Sequence, residues 1–370
     1  MTPQPSCSSA SFPYGVFVLT LIYVCYVLLI HYAVPVPCLN EPCDSEGLDN
    51  SVLGFSTDFG IALGMLLLGT QLKWYVQRPV ERSAVFAQWT MGIGYVFGGL
   101  GHSVFANSGF DDNRGERPFY VMWVFRFAFL TWSSYWIYRF TRNLQKRYHA
   151  VAFQDAAWGL LLSLRIAWYL NFLAFVAVFT GYTWCATDKE ILVKGAIDTV
   201  PPISQTDGVR LERQLDVCLQ VANAGEISWY CTFALLWIPV SIILRRVILR
   251  GGHRVTEADQ PRKVYGLWNS WAALWIAIIP WTFGIMLIVW TRVVAAMLPN
   301  QSATDVYKNI YGAVVYHYGM LLGYFLLHNI AYSLPQDEAV VPWPSASNKA
   351  NKSHGDDLES VGILDAPTVY

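Results

Sequence analysis

The sequence predicts an all-α protein, a polytopic transmembrane bundle of about eight spanning helices, with seven as the alternative. Of its 370 residues, 54% are hydrophobic and 14% are charged, whereas soluble domains have about 25% charged residues. Its 16 Trp and 21 Tyr suit the aromatic belts found at membrane interfaces. The net charge of -1 gives no reason to expect a nucleic-acid partner. We expect membrane lipid to surround the helical bundle.

Each predicted span is an apolar run near the length of about 20 residues that a bilayer requires. The first run has no preceding Lys or Arg and exceeds the apolar region of a signal peptide, so it is interpreted as a span. Residues 1–13 precede it as a short terminus, 14–333 form the bundle, and 334–370 form a polar, disordered tail. The predicted spans are 14–36, 52–72, 84–106, 118–138, 156–182, 227–249, 264–291 and 308–332.

Basic residues in short loops predict the orientation of the bundle. They concentrate after the second, fourth and sixth spans, whereas residues 37–51 contain none. Both termini are therefore predicted to be cytoplasmic, in the plasma membrane or an organelle of the secretory pathway. The basic residues after the three even-numbered spans are Lys73, Arg78, Arg82, Arg139, Arg142, Lys146, Arg147, Arg245, Arg246, Arg250, Arg254, Arg262 and Lys263.

Four cysteines lie in loops assigned to the oxidising side, where disulfides persist. We expect two bonds, Cys38–Cys43 and Cys185–Cys218, although four cysteines allow three connectivities. Zinc binding by these cysteines is the weaker interpretation, because no Cys-x-x-Cys spacing is present.

Ionisable residues inside the spans are costly and mark functional hypotheses. Counting about 1.5 Å per residue, five of them from five helices lie within about 14 Å of the outer boundary. These residues are His31, Asp58, His102, Arg126 and His317. Glycines at 94, 98, 99 and 101 leave room for close helix approach around His102.

Asp58, His102 and His317 form a ligand set that catalytic zinc uses, with water at the open position. The metal would generate hydroxide at neutral pH. His31 is a fourth ligand, a partner of a ligand or a general base in this hypothesis. Arg126 would hold a carboxylate or a developing oxyanion. Ser56, Thr57 and Ser103 would orient the ligands.

Other interpretations remain open for the same residues. Asp58 and Arg126 could form a buried ion pair, and the histidines could be neutral structural groups. His317 and His328 share a helix face about 16 Å apart, a spacing that suits axial ligands of two stacked haems. Asn171 is predicted to hydrogen-bond between helices, and Glu226 is interpreted as a solvated helix cap.

Four short patches resemble a loosely characterised group of multi-helix membrane proteins. They are "STDF", "GGLGH", "MWVFRFAFL" and "YH". The resemblance implies roles for Thr57 and Asp58, for Gly98, Gly99 and His102, for Arg126, and for Tyr316 and His317. The pattern is more remotely similar to the superfamily of alkaline ceramidases and adiponectin/progestin receptors. That similarity implies zinc and hydrolysis of lipid amides, although the last span here has no His-x-x-x-His.

These observations favour a metal-dependent hydrolase-like site in the outer half of the bundle, acting on a lipid. The alternatives are a proton-coupled transporter, in which Asp58 and the histidines relay protons, and a receptor or structural protein without catalysis.

Overall fold

The computed structural model is almost entirely helical over the residues that it describes. It describes residues 11–33, 44–45, 48–49, 52–75, 79–105, 116–148, 153, 157–198, 205–251, 272–276, 278–279 and 312–333. The predicted all-helical class is confirmed for these residues, apart from a two-residue antiparallel ladder that pairs Asp44–Ser45 with Leu48–Asp49. The predicted tail, 334–370, lies outside the described residues.

Seven long helices account for most of the described chain. A π-helical turn at Gly101–Phe105 continues the third of them. Within the predicted seventh span, 264–291, residues 272–276 and 278–279 are described and are helical. The long helices are α1 (Ser11–Ala33), α2 (Val52–Tyr75), α3 (Pro79–Leu100), α4 (Glu116–Arg147), α5 (Ala157–Asp198), α6 (Gln205–Gly251) and α7 (Gly312–Ser333).

Three segments of these helices are long and apolar enough to cross a membrane: Val52–Trp74, Trp158–Thr187 and Val217–Leu249. The exposed faces of these helices are apolar. For example, Leu63 is 60% exposed and Leu173 is 61% exposed. Apolar residues on both the buried and the exposed sides of a helix suit contact with lipid. The predicted membrane character is therefore supported, while the count of eight spans stays a prediction.

The helices pack as a bundle in which sequence neighbours are in contact. Helix α5 packs on α6 and α4, α3 packs on α2 and α4, and α7 lies against α2. Asn171 of α5 ties three helices together, because its amide oxygen accepts from Ser134 at 2.8 Å and its nitrogen donates to the Trp229 carbonyl at 3.2 Å. The interhelical role predicted for Asn171 is confirmed.

The predicted disulfide Cys185–Cys218 is present and joins α5 to α6, with 5.4 Å between the two Cα atoms. Glycines permit the close approach of these helices nearby. A Cβ on Gly181 would lie 2.6 Å from the Cα of Ala222, and one on Gly225 would lie 2.7 Å from the nitrogen of Val178. Cys38 and Cys43 lie outside the described residues, so their predicted bond stays a prediction.

Candidate functional site

A buried carboxylate and a buried imidazole form the centre of the site. Asp58 is 0% exposed in the second turn of α2, and its Oδ1 lies 3.1 Å from Nε2 of His317. His317 lies in the second turn of α7 and is 5% exposed. Helices α2 and α7 pack against each other, which brings together two groups that the sequence places far apart.

His102 approaches the same carboxylate from the opposite oxygen. Its Nε2 lies 4.0 Å from Oδ2 of Asp58. The residue lies in the π-helical turn that ends α3, and such turns are rare and frequent at functional sites. The His102 ring also meets the ring of Trp123 edge-on, with 4.6 Å between centroids. Asp58 therefore lies between the two imidazoles.

Arg126 provides the positive charge of the cluster. Its Nη2 lies 4.0 Å from Oδ1 of Asp58, within the range of an ion pair but beyond that of a hydrogen bond. The guanidinium carbon lies 4.4 Å from the ring centre of Trp123 and 5.6 Å from that of Tyr95. Cation–π contact of this kind contributes about 0.5–2 kcal/mol, and more when desolvated. The predicted pair of Asp58 and Arg126 is thus present, and it belongs to a larger cluster that also contains His102 and His317.

Gly98 explains how the carboxylate and the guanidinium fit against α3. A Cβ at this position would lie 3.1 Å from Oδ2 of Asp58 and 3.2 Å from Nε of Arg126. One turn earlier, a Cβ on Gly94 would lie 2.8 Å from Leu130 of α4. The predicted role of these glycines in close helix approach agrees with the geometry.

Thr57 connects His317 to the backbone of α2. Its Oγ1 lies 2.8 Å from Nδ1 of His317, and it also lies 2.8 Å from the carbonyl oxygens of Leu53 and Gly54. Thr57 is fully buried. The ring of His317 therefore faces Asp58 with one nitrogen and Thr57 with the other.

Glu226 has a different environment from the solvated cap that the sequence suggested. Its Oε2 accepts hydrogen bonds from the indole of Trp123 at 3.2 Å and from the hydroxyl of Tyr182 at 2.8 Å. The interpretation as a solvated cap is wrong, because α6 begins well before Glu226, at Gln205, and packs this residue against α4 and α5. Glu226 thereby holds the indole that contacts both His102 and Arg126.

The remaining predicted residues take different positions. His31 belongs to α1, but its side chain lies outside the described part of the structure. The hydroxyl of Ser103 donates to the carbonyl of Gly99 at 2.6 Å, and that of Ser56 donates to the carbonyl of Leu53 at 3.2 Å. The haem interpretation of His317 and His328 stays a prediction.

Among the described residues, no group of three or more His, Cys, Asp or Glu side chains is arranged as a metal-binding cluster. The donor atoms of Asp58, His102 and His317 are nevertheless adjacent, at the 3.1 Å and 4.0 Å already given. No protein-family model matches the chain, and no curated protein or solved structure matches it. Its function therefore has to be inferred from the residues of this cluster.

Proposed function

We propose that this protein is a multi-pass membrane hydrolase whose active site binds a divalent metal through Asp58, His102 and His317. The observation that supports the proposal is the position of the Asp58 carboxylate, with one oxygen 3.1 Å from His317 and the other 4.0 Å from His102. Two imidazoles and a carboxylate are a ligand set of catalytic zinc, which also keeps an open position for water or substrate. Zinc is the metal that we propose.

The Thr57–His317 contact supports this assignment. Thr57 has two backbone carbonyls as acceptors for its single hydroxyl proton, so its oxygen can accept from an Nδ1–H of His317. The Nε2 lone pair of His317 then points toward Asp58. Two electron-rich atoms 3.1 Å apart repel each other unless a cation or proton lies close to both. Ligating histidines commonly have such a hydrogen bond on the other ring nitrogen.

The bound metal would supply hydroxide for attack on an acyl carbon. Arg126 would hold the negatively charged oxygen of the substrate, because its guanidinium is buried beside the cluster and is held by the rings of Trp123 and Tyr95. Asp58, fully buried, would fix the positions of both imidazoles. We propose a membrane lipid as substrate, since the cluster lies within helices whose exposed faces are apolar.

The cluster and the disulfide lie at the same end of the bundle. Tyr182, one turn before Cys185 in α5, hydrogen-bonds Glu226, which hydrogen-bonds Trp123 beside His102. Disulfides persist on the oxidising side of a membrane. We therefore propose that the site opens toward the lumen or the cell exterior, with both termini cytoplasmic in a bundle of about eight spans.

Metal analysis of the purified protein tests the proposal. Wild type should contain about one zinc per chain, whereas Asp58→Asn and His317→Ala should contain less than about one tenth of that. His328→Gln is the matched control for metal content, because His328 is also 5% exposed and lies on the same helix. A folded, metal-free wild type would contradict the proposal.

A second measurement separates hydrolysis from the alternative functions. Incubation with mixed lipids, followed by mass spectrometry, should show fatty-acid release that stops after chelation and in Asp58→Asn. A carrier instead predicts uptake driven by a pH gradient that persists when metal is chelated. A structural role predicts loss of stability in His102→Ala with no enzymatic signal in wild type.

A further inference from the structure

A second layer of buried polar side chains lies deeper in the bundle than the Asp58 cluster. Gln88 of α3 is 0% exposed, and neither its amide nitrogen nor its amide oxygen has a hydrogen-bond partner among the described residues. His328 of α7 is 5% exposed, and its Nδ1 likewise has no hydrogen-bond partner there. Buried polar groups of native proteins are almost always satisfied by protein or by water.

Hydroxyl groups lie beside these two residues. Ser133 of α4 donates to the carbonyl of Ala87, the residue before Gln88, at 2.6 Å, and its oxygen lies 2.7 Å from the hydroxyl of Tyr324. Tyr324 and His328 are four residues apart on α7 and therefore lie on one face of that helix. We name Gln88, Ser133, Tyr324 and His328 the inner polar layer.

Helix α2 places Gln88 and His328 at the same level. The backbone of Leu68 is hydrogen-bonded to His328, and a Cβ on the next residue, Gly69, would lie 3.3 Å from Cβ of Gln88. Leu68 follows Asp58 by ten residues, which is about 15 Å along a helix. The inner polar layer is thus separated from the Asp58 cluster by roughly half the thickness of a hydrocarbon core.

Two tyrosines lie between the two levels along their helices, because Tyr95 is seven residues from Gln88 on α3 and Tyr324 is seven residues from His317 on α7. Tyr95 meets the ring of His317 edge-on at 5.6 Å. The ring of Tyr316 lies 6.4 Å from that of His317, measured between centroids. Each hydroxyl can accept one proton while it donates another. Polar residues are therefore placed at intervals along α3 and α7 from the neighbourhood of the cluster to His328.

We propose that the inner polar layer binds internal water molecules and, together with the tyrosine hydroxyls, relays protons along the bundle from the end that carries the disulfide to the opposite end. Buried waters typically make about three hydrogen bonds to groups of this kind. The two amide atoms of Gln88, Nδ1 of His328 and the hydroxyls of Ser133 and Tyr324 supply them. A proton that enters at one end displaces another at the far end, so that no group changes its net charge. The relay does not depend on a metal at the Asp58 cluster.

Hydroxyl-radical footprinting by water radiolysis tests the binding of water. Radicals generated from internal water oxidise the side chains next to it, so the 1%-exposed Tyr324 should be modified at least tenfold faster than the equally buried Phe127 of α4, 0% exposed. Gln88→Leu should abolish the difference. Equal, slow modification of Tyr324 and Phe127 in wild type would overturn the proposal.

Proton flux into vesicles containing the purified protein tests the relay. A potassium gradient with valinomycin drives protons, and a trapped pH-sensitive dye reports them. Gln88→Leu and Tyr324→Phe should each lower the wild-type rate at least tenfold, whereas Gln71→Leu, an exposed glutamine of α2, should leave it unchanged. A wild-type rate equal to that of empty vesicles, or unchanged rates in both buried variants, would overturn the relay.

The melting temperature of the Gln88→Leu variant tests the proposal independently of proton flux. If Gln88 lies in a dry core, replacing its unsatisfied amide by leucine should raise the melting temperature. If Gln88 binds water, the same replacement should leave it unchanged or lower it. A raised melting temperature would contradict the proposal even if proton flux were lost.

Discussion

Oδ1 of Asp58 lies 3.1 Å from Nε2 of His317, so that a carboxylate of α2 and an imidazole of α7 meet in the buried interior of the bundle. Two polar residues from helices far apart in the chain meet here because α7 packs directly against α2. Burial of a carboxylate among apolar helices is costly unless opposite charge or hydrogen bonds offset it. Substitutions at this contact should therefore change both the function and the stability of the protein.

Asp58 and Arg126 should be energetically coupled. Removing one partner of a buried charge pair typically costs about 3–5 kcal/mol, because the other charge stays buried. We expect Asp58→Asn and Arg126→Met each to lower the free energy of unfolding in detergent by about this amount. The double variant should be more stable than the sum of the two losses predicts, by about 1–3 kcal/mol.

Additive losses would contradict the coupling of this pair. The measurement is denaturation of the detergent-solubilised protein, followed by loss of helical circular dichroism. Arg139→Met is the control variant, because Arg139 is an exposed arginine of the same helix. It should show no coupling to Asp58→Asn.

Gly98→Ala should destabilise the cluster. The added methyl group would lie 3.1 Å from Oδ2 of Asp58 and 3.2 Å from Nε of Arg126, closer than ordinary van der Waals contact. Overpacking of this type costs about 1–3 kcal/mol. Gly159→Ala is the matched control, since nothing lies within 4 Å of its added carbon, and alanine should stabilise that helix by up to about 1 kcal/mol. A neutral Gly98→Ala would show that the helices separate freely here.

Apolar runs predicted the helices well because about 20 consecutive apolar residues are a strong indicator of a spanning helix. The predicted spans were nevertheless shorter than the helices. The spans predicted at 156–182 and 227–249 belong to the helices Ala157–Asp198 and Gln205–Gly251. Hydropathy identifies the apolar part of a helix, whereas the helix itself continues wherever backbone hydrogen bonding continues. The helical residues 183–198 and 205–226 were therefore not predicted.

The central residues of the site could be nominated from the sequence, since Asp58, His102, Arg126 and His317 are ionisable groups in apolar runs. The supporting residues could not. Trp123 is one of 16 tryptophans, and a belt tryptophan cannot be told from a hydrogen-bonded one by sequence. Glu226 was misplaced at the surface because the start of its helix was set too late. Nothing in the stretch "GGLGHSVF" predicts the π-helical turn at His102.

Thr57→Val should weaken zinc binding while Thr57→Ser preserves it. Valine keeps the shape of threonine but removes the oxygen that lies 2.8 Å from Nδ1 of His317. Loss of such a partner typically lowers metal affinity about 10–100-fold. Zinc titration with a chromogenic chelator as competitor measures the effect.

Thr90→Val controls for the general effect of removing a buried threonine hydroxyl. Thr90 is 6% exposed and donates to the carbonyl of Phe86 at 2.7 Å, within its own helix. This variant should bind zinc like wild type. If Thr57→Val and wild type bound zinc with equal affinity, Thr57 would have no role in metal binding.

The disulfide should stabilise both the helix pair α5–α6 and the cluster beyond it. The bond closes a loop with a sequence separation of 33, for which chain entropy gives roughly 3–4 kcal/mol. Replacing Cys185 and Cys218 together by serine should lower the free energy of unfolding by about this amount. The same change should weaken zinc binding, because Tyr182 and Cys218 lie on the two helices that position Glu226, the acceptor for Trp123. Replacing the free, exposed Cys25 and Cys231 by serine should change neither quantity.

If the double serine variant lost stability but kept full zinc affinity, the connection through Glu226 and Trp123 would be structural only. If it lost zinc affinity while Trp123→Phe did not, the disulfide would act on the cluster by another route.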